Sequence, residues 1–373
     1  MTVARKAKPP AAPAAPKADP SRAASLSLVR RIWPWVFLIT MVTVFTVWAK
    51  VANNTDFLSP RSVQAILVYA TQILLVALGE TLIMIAAGVD LSAGYILGLS
   101  AVVGAEVMKR LYAAGVPSGQ AIALGMLCGL LVTLIPGWIN GWLATRWKVP
   151  PFISTLGMGY AVYGAALLIC GGLPVANQPP DLGQLGNGSI LYFWPGHGIS
   201  FFELPAGATP RDLSVIVPIL PNVVLVTLIV TAIFWFLLGK TQFGRHVYAI
   251  GGNYEAAVRA GIPVARVILL VYILGALLSG VAGNLWAARF TSGAADAGVA
   301  TTLYAIAAVV IGGASMFGGE GTIVGTVVGS LIIATIQFGL VVLGMPPYWQ
   351  YAAVGTVVIV AVIVDQFGRT LER

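Results

Sequence analysis

GETLIMIAAGVDLSAGYILGLSAVVGAEV, residues 79–107, places two acids, Glu80 and Asp90, inside an apolar run punctuated by glycines, with a third, Glu106, at its end. An acid at bilayer depth costs at least roughly 2.5–3.5 kcal/mol, so it faces a bundle interior or a water-filled cavity rather than lipid. Composition puts the stretch in a membrane. Hydrophobic residues make up 58% of the 373 and charged residues 9%, where soluble domains carry roughly 25% charged. The mean hydropathy of +0.90 agrees.

Apolar runs of about 20 residues read as spans, and they predict an all-α, polytopic membrane protein with about ten transmembrane helices. The runs are Ile32–Trp48, Ser62–Ala87, Leu91–Met108, Ala121–Ala144, Phe152–Cys170, Leu213–Leu238, Val267–Ala288, Thr301–Phe317, Ile323–Leu343 and Tyr348–Val364. Short loops rich in Lys and Arg stay cytoplasmic. Seven such residues precede Ile32, and Arg146, Lys148, Lys240, Arg245, Arg259, Arg266, Arg369 and Arg373 join them if both termini are inside. Lys50, Arg61, Lys109, Arg110, Arg211 and Arg289 then lie outside. The net charge of +8 thus reports topology and attraction to anionic lipid rather than nucleic-acid binding.

The domain expectation is a disordered cytoplasmic tail over 1–31, a transmembrane domain over 32–366 and a short cytoplasmic tail over 367–373. The Ala/Pro-rich segment AKPPAAPAAPKADP has no periodicity able to bury a core. The first apolar run is span-length and reads as an uncleaved anchor. Cys128 and Cys170 fall within spans as packing residues. Two loops exceed turn length: an outer loop at 172–212, a lid, docking surface or connector with short strands, and an inner loop at 239–266. In the latter, Asn253–Ala260 reads as a short amphipathic helix. Gly251 and Gly252 precede it, Asn253 caps it, Gly261 stops it and Pro263 prevents continuation.

Within that inner loop, GRHVYAIGGNYEAAVRAGI resembles the cytoplasmic coupling region of permease subunits of sugar-importing ABC transporters, the branch handling ribose, xylose and galactose. GET and GVDLSAG, VPPFISTLGM at 149–158 and VVIGGASMFGGEGTIVGTVVG at 309–329 resemble the same family, in its order. The resemblance covers about Gln64 to Val364. It implies a bacterial inner-membrane protein working by alternating access. The partners it implies are a cytoplasmic ATP-binding subunit, a periplasmic sugar-binding protein and a second permease copy, with a homodimer expected. ATP and Mg²⁺ would act on the partner, no cofactor on this chain. Coupling would fall to Gly251, Gly252, Asn253, Glu255, Ala256, Arg259 and Gly261. The Ala/Pro tail and FWPGHG in the outer loop depart from the family pattern.

IAAGVDLSAGYILGLSAVVGA and VIGGASMFGGEGTIVGTVVGS both show a span ending in a small-residue turn followed by a glycine-spaced span, which suggests a parallel internal repeat. The pathway candidates are Gln72, Glu80, Asp90, Asn140, Asn284 and Gln337. Gln72 and Glu80 share a helix face and could meet a sugar's hydroxyls, or Glu80 could bond a neighbouring helix. Asp90 opens a span, where capping alone accounts for an acid. Asn140, Asn284 and Gln337 fit interhelical hydrogen bonding or substrate contact. Glu106, Asp296 and Asp365 fall near span ends, and Glu320 in an inner turn.

Common enzyme motifs are absent. Leu238-Gly239-Lys240-Thr241 mimics the end of a phosphate-binding loop, but Phe234 stands where its first glycine would be. The expectation is a transport subunit, not an enzyme. The alternative is an ion-coupled secondary transporter using Glu80 and Asp90 as carriers.

Overall fold

The computed structural model describes residues 20–209, 211–212 and 215–370. Among these residues fourteen helices and one small sheet follow in the order α1 (Pro20–Asn53), α2 (Pro60–Ile85), α3 (Ala93–Ala113), α4 (Ser118–Val132), α5 (Leu134–Arg146), α6 (Pro151–Cys170), α7 (Leu182–Asn187), β1 (Leu191–Trp194), β2 (Gly198–Phe201), β3 (Val217–Pro218), α8 (Asn222–Lys240), α9 (Gln242–Gly252), α10 (Tyr254–Arg259), α11 (Val264–Phe290), α12 (Val299–Ile311), α13 (Ile323–Val342) and α14 (Tyr348–Thr370).

Seven stretches among the described residues are long and apolar enough to cross a membrane: Ile32–Asn53, Pro60–Ile85, Ser118–Arg146, Pro151–Cys170, Asn222–Lys240, Val264–Phe290 and Ile323–Val342. The other three predicted spans coincide with α3, α12 and α14. Glu106, Lys109 and Arg110 pair near the end of α3, and α12 has 13 residues.

The tail expected over 1–31 lies outside the described residues as far as residue 19, and from Pro20 the chain is already α1. Of the tail expected over 367–373, the first residues continue α14 to Thr370 and the rest lie outside. The all-α expectation needs one correction. In the outer loop β1 pairs antiparallel with β2 and β3, in the order β2-β1-β3. The inner loop holds two helices, not one, because α9 precedes α10.

Local chemistry sets the helix ends. Ser59 caps α2 by accepting from Ser62 N–H at 3.2 Å, with Pro60 at the first helical position. The predicted span Ala121–Ala144 divides into α4 and α5. Pro136 has no N–H to offer the Val132 carbonyl, so the ladder breaks there. α2 is the central helix, packed against α11, α12 and α13, and every residue from Ile73 to Ile85 is buried. A helix apolar all round is a core helix. Its Thr81 hydroxyl meets that of Thr326 on α13 at 2.6 Å.

The bundle has two ends. α2 begins beside the sheet, where Arg61 donates to the Ile216 carbonyl, and finishes against α9. The helices on either side of its far end break in one pattern. After α2, Ala87 N–H donates to Met84 O and Gly88 N–H to Ile83 O. After α12, Gly313 N–H donates to Val310 O and Ala314 N–H to Val309 O. Ala87 (φ 61°) and Gly313 (φ 89°) take the left-handed conformation that closes such ends.

Candidate functional site: two helix breaks and the helices that hold them

At the first break the chain leaves α2 at Ile85 and re-enters helix at Ala93. Backbone without helical hydrogen bonds needs other partners inside a bundle. Asp90 supplies one: its Oδ1 accepts from the Ser92 N–H at 2.8 Å and from the Ser92 hydroxyl. Thr155 of α6 supplies another, accepting from Leu91 N–H at 3.1 Å. Asn140 of α5 donates to the Ser92 hydroxyl at 2.9 Å. Thr302 of α12 accepts from Gly94 N–H at 2.8 Å. Asp90 therefore closes a turn just ahead of α3, whose N-cap position is Ser92 and carries no side-chain cap bond.

Tyr272 of α11 meets this turn, a Cβ on Gly88 falling 2.9 Å from its hydroxyl, and Glu80 is buried near the end of α2 that leads into it. Glu80 is 1% exposed, and neither carboxylate oxygen makes a hydrogen bond of ordinary geometry. The Tyr272 hydroxyl and Asn140 Oδ1 are likewise buried without a partner. One buried polar cluster thus gathers Glu80, Asp90 and Asn140 of the predicted pathway set.

The remaining predicted residues lie elsewhere. Asn284 donates to Met126 O on α4 at 2.8 Å, an interhelical bond. Gln337 is buried on α13 beside Tyr304 of α12, and Gln72 is half-buried on α2, two turns from Glu80.

The second break, Gly312–Thr322, meets the first directly. Gly319 N–H donates to Ile85 O at 2.9 Å. Gly251 of α9 is wedged into this joint: a Cβ there would fall 1.7 Å from Ile85 O and 2.6 Å from Gly319 N. Only glycine fits so close an approach. Tyr248 of α9 ties the other side, its hydroxyl donating to Gly321 O at 2.7 Å. Burial pushes that phenol's pKa above its ordinary value, so it stays a donor at neutral pH.

α10 begins one residue after α9. Asn253 Oδ1 accepts from Ala256 N–H at 2.9 Å, the expected cap, and Gly261 closes the far side at φ 78°. Only Ala257 of the helix is buried. Tyr254, Glu255, Val258 and Arg259 are exposed, with Glu255 and Arg259 paired at 3.4 Å. A groove of about 290 Å³ runs from Gly252, Asn253 and Tyr254 past Ala87, Gly88 and Pro151 to Tyr272. Tyr272 is the member of the buried polar cluster that lines it.

Sequence reasoning misses Tyr272, Thr155, Thr302 and Tyr248. The first three sit in apolar runs whose pattern carries no polar signal. Tyr248 stands within HVYAIGG, where nothing in the residue pattern marks a separate helix.

The chain matches the family model described as branched-chain amino acid transport system / permease component over residues 62–362. It is 34% identical over 336 residues to the fructose import permease protein of Rhizobium meliloti, covering 90% of this chain and 85% of that one. With the ribose import permease protein of Bacillus subtilis it shares 34% over 339 residues, 91% of this chain and 94% of the other. With the L-arabinose ABC transporter permease protein of Azospirillum brasilense the figures are 33% over 362 residues and 96% of both. No solved structure matches. The matched span takes in both helix breaks, α9 and α10, and the chain belongs to the branched-chain amino acid transport system / permease component family as a multi-pass inner-membrane transport subunit.

Proposed function

We propose that this chain is the membrane-spanning subunit of an ATP-driven importer for a monosaccharide or similar small polyol. A periplasmic binding protein delivers the solute, a cytoplasmic ATP-binding subunit supplies the energy, and a second copy of the chain completes the pathway. ATP and its Mg²⁺ act on the partner. The printed names of the relatives, which import fructose, ribose and arabinose, support the substrate class. Each of the ten predicted spans overlaps a helix, and the basic-residue distribution supports ten crossings with both termini cytoplasmic. The two similar glycine-spaced sequences that follow the breaks support the parallel repeat.

One observation carries the energetic reading: α10 is capped, exposed and joined through the single residue Asn253 to α9, which is wedged into the joint between both breaks. A partner gripping α10 therefore has a short rigid route to the two irregular segments of the bundle. Gly251, Gly252, Asn253, Glu255, Ala256, Arg259 and Gly261 form this coupling element, and Gln72, Glu80, Asp90, Asn140, Asn284 and Gln337 are the pathway set, with Asn284 serving packing. Ala257→Pro removes the N–H that donates to Asn253 O and breaks α10. In proteoliposomes holding the whole complex it should abolish ATP-driven uptake while the chain remains folded. Uptake at the wild-type rate would refute the assignment.

The unbonded Glu80 carboxylate favours one second reading, ion-coupled transport through Glu80 and Asp90. An ion gradient would then drive uptake without ATP.

A further inference from the structure

The sequence puts Asp296 near a span end, in contact with water. Its place in the fold is different. α11 ends at Phe290, and Thr291 turns the chain in the left-handed conformation at φ 47°. The chain then runs without helix to Gly298 and descends alongside α3. A Cβ on Gly293 would lie 2.5 Å from Ala101 O, one on Gly98 would lie 2.1 Å from Ala295 O, and one on Gly94 would lie 1.9 Å from Gly298 O. The irregular segment is therefore laid antiparallel on the small-residue face of α3, and Val175 N–H satisfies Gly293 O at 2.7 Å.

Depth follows from α12. Its 13 residues rise ~20 Å at 1.5 Å per residue, and they end in the second break, at the α9 end of the bundle. Asp296 precedes that helix, so it sits about 20 Å from the second break along α12; with that break at the cytoplasmic face, Asp296 falls within a hydrocarbon layer ~30 Å thick. Gly293, Ala294, Ala295 and Gly298 are buried, yet Asp296 is exposed. Its carboxylate has no hydrogen bond or ion pair among the described residues. Exposed apolar neighbours such as Val299 and Leu303 could face lipid. A carboxylate could not: irregular backbone and ionisable groups occur at this depth where they line a water-filled cavity.

We infer that Asp296 stands on the wall of the solute pathway and accepts hydrogen bonds from hydroxyl groups of a neutral polyhydroxylated solute. An ionised carboxylate offers two acceptor oxygens and can take hydroxyls on adjacent carbons together. The inference deepens the sugar-import reading and rests on it for the identity of the solute.

Two measurements test it in the full complex in sealed proteoliposomes. First, Asp296→Cys is made in a background with Cys128→Ser and Cys170→Ala, and is treated with a membrane-impermeant methanethiosulfonate. Leu168→Cys on α6, 87% exposed, is the lipid-facing control. A thiol in water ionises and reacts, so Asp296→Cys should be modified at least about tenfold faster than the control. A rate no higher than the control's overturns the placement. Second, uptake of radiolabelled ribose, fructose, arabinose and galactose is measured for Asp296→Asn and Asp296→Leu. Loss of a charge-assisted hydrogen bond should lower uptake by about tenfold in the leucine variant and less in the amide, while the complex still assembles. Wild-type uptake by Asp296→Leu overturns the solute contact. If the wild-type complex imports none of the four sugars, the sugar reading fails, while the labelling rate still decides whether Asp296 faces water.

Discussion

Asn140 holds the first helix break through one bond, from its amide to the Ser92 hydroxyl, which in turn donates to Asp90. Asn140→Ala leaves the Ser92 oxygen without that donor in a buried site, and the loss should destabilise the protein by about 1–3 kcal/mol. Thermal unfolding in detergent reads this as a lowered midpoint; an unchanged midpoint would mean that the chain Asp90–Ser92–Asn140 does not hold the turn. Glu80 differs because both its oxygens lack ordinary hydrogen bonds. Glu80→Gln keeps the volume and removes the charge, so ATP-driven uptake should fall several-fold while the complex still assembles. Loss of folded protein instead would assign Glu80 to structure. The two acids in GETLIMIAAGVDLSAG are legible as special from composition alone. Their division of labour is not, since it depends on Thr155, Asn140 and Tyr272, which approach from three other helices.

Helix contacts separate glycines that look alike in sequence. Gly94 on α3 faces Gly298 O at a distance no methyl can occupy, whereas a methyl added at Gly164 on α6 would meet no atom within 4 Å. Gly94→Ala should therefore abolish properly folded membrane protein, and Gly164→Ala should stabilise α6 by about 0.5–1 kcal/mol through helix propensity. Expression profiled by fluorescence-detected size exclusion and the unfolding midpoint check the pair. Equal behaviour would contradict the packing described. α10 is readable because its signals are local: a capping asparagine, a closing glycine and a proline beyond. Asn253→Ala should weaken that helix by about 1 kcal/mol and reduce uptake less than Ala257→Pro. α9 escapes notice since it begins directly after α8 and its purpose, the contact of Gly251 with Ile85 and Gly319, lies in distant segments. The path of the segment that carries Asp296 is hidden in the sequence for a related reason. A break between apolar runs ordinarily marks the surface, whereas this segment turns back along the glycines of α3.

Across the whole molecule, the breaks, the α9–α10 unit and the irregular segment before α12 form a continuous arrangement from one end of the bundle toward its middle. Ten apolar runs are visible in the sequence, and each overlaps a helix, though Thr301–Phe317 runs on into the second break, Leu213–Leu238 takes in β3, and only seven stretches are long and apolar enough to span. The rest of the architecture depends on backbone contacts that hydropathy does not encode. The central claim is that movement of an ATP-binding partner, passed through α10 and α9 to both breaks, drives solute entry. Its most direct test is solute uptake by proteoliposomes containing the complex and its loaded binding protein, with ATP supplied or withheld and with proton and sodium gradients imposed or collapsed. Uptake that requires ATP and persists when the gradients are collapsed is the predicted result; uptake that follows an ion gradient without ATP would contradict it.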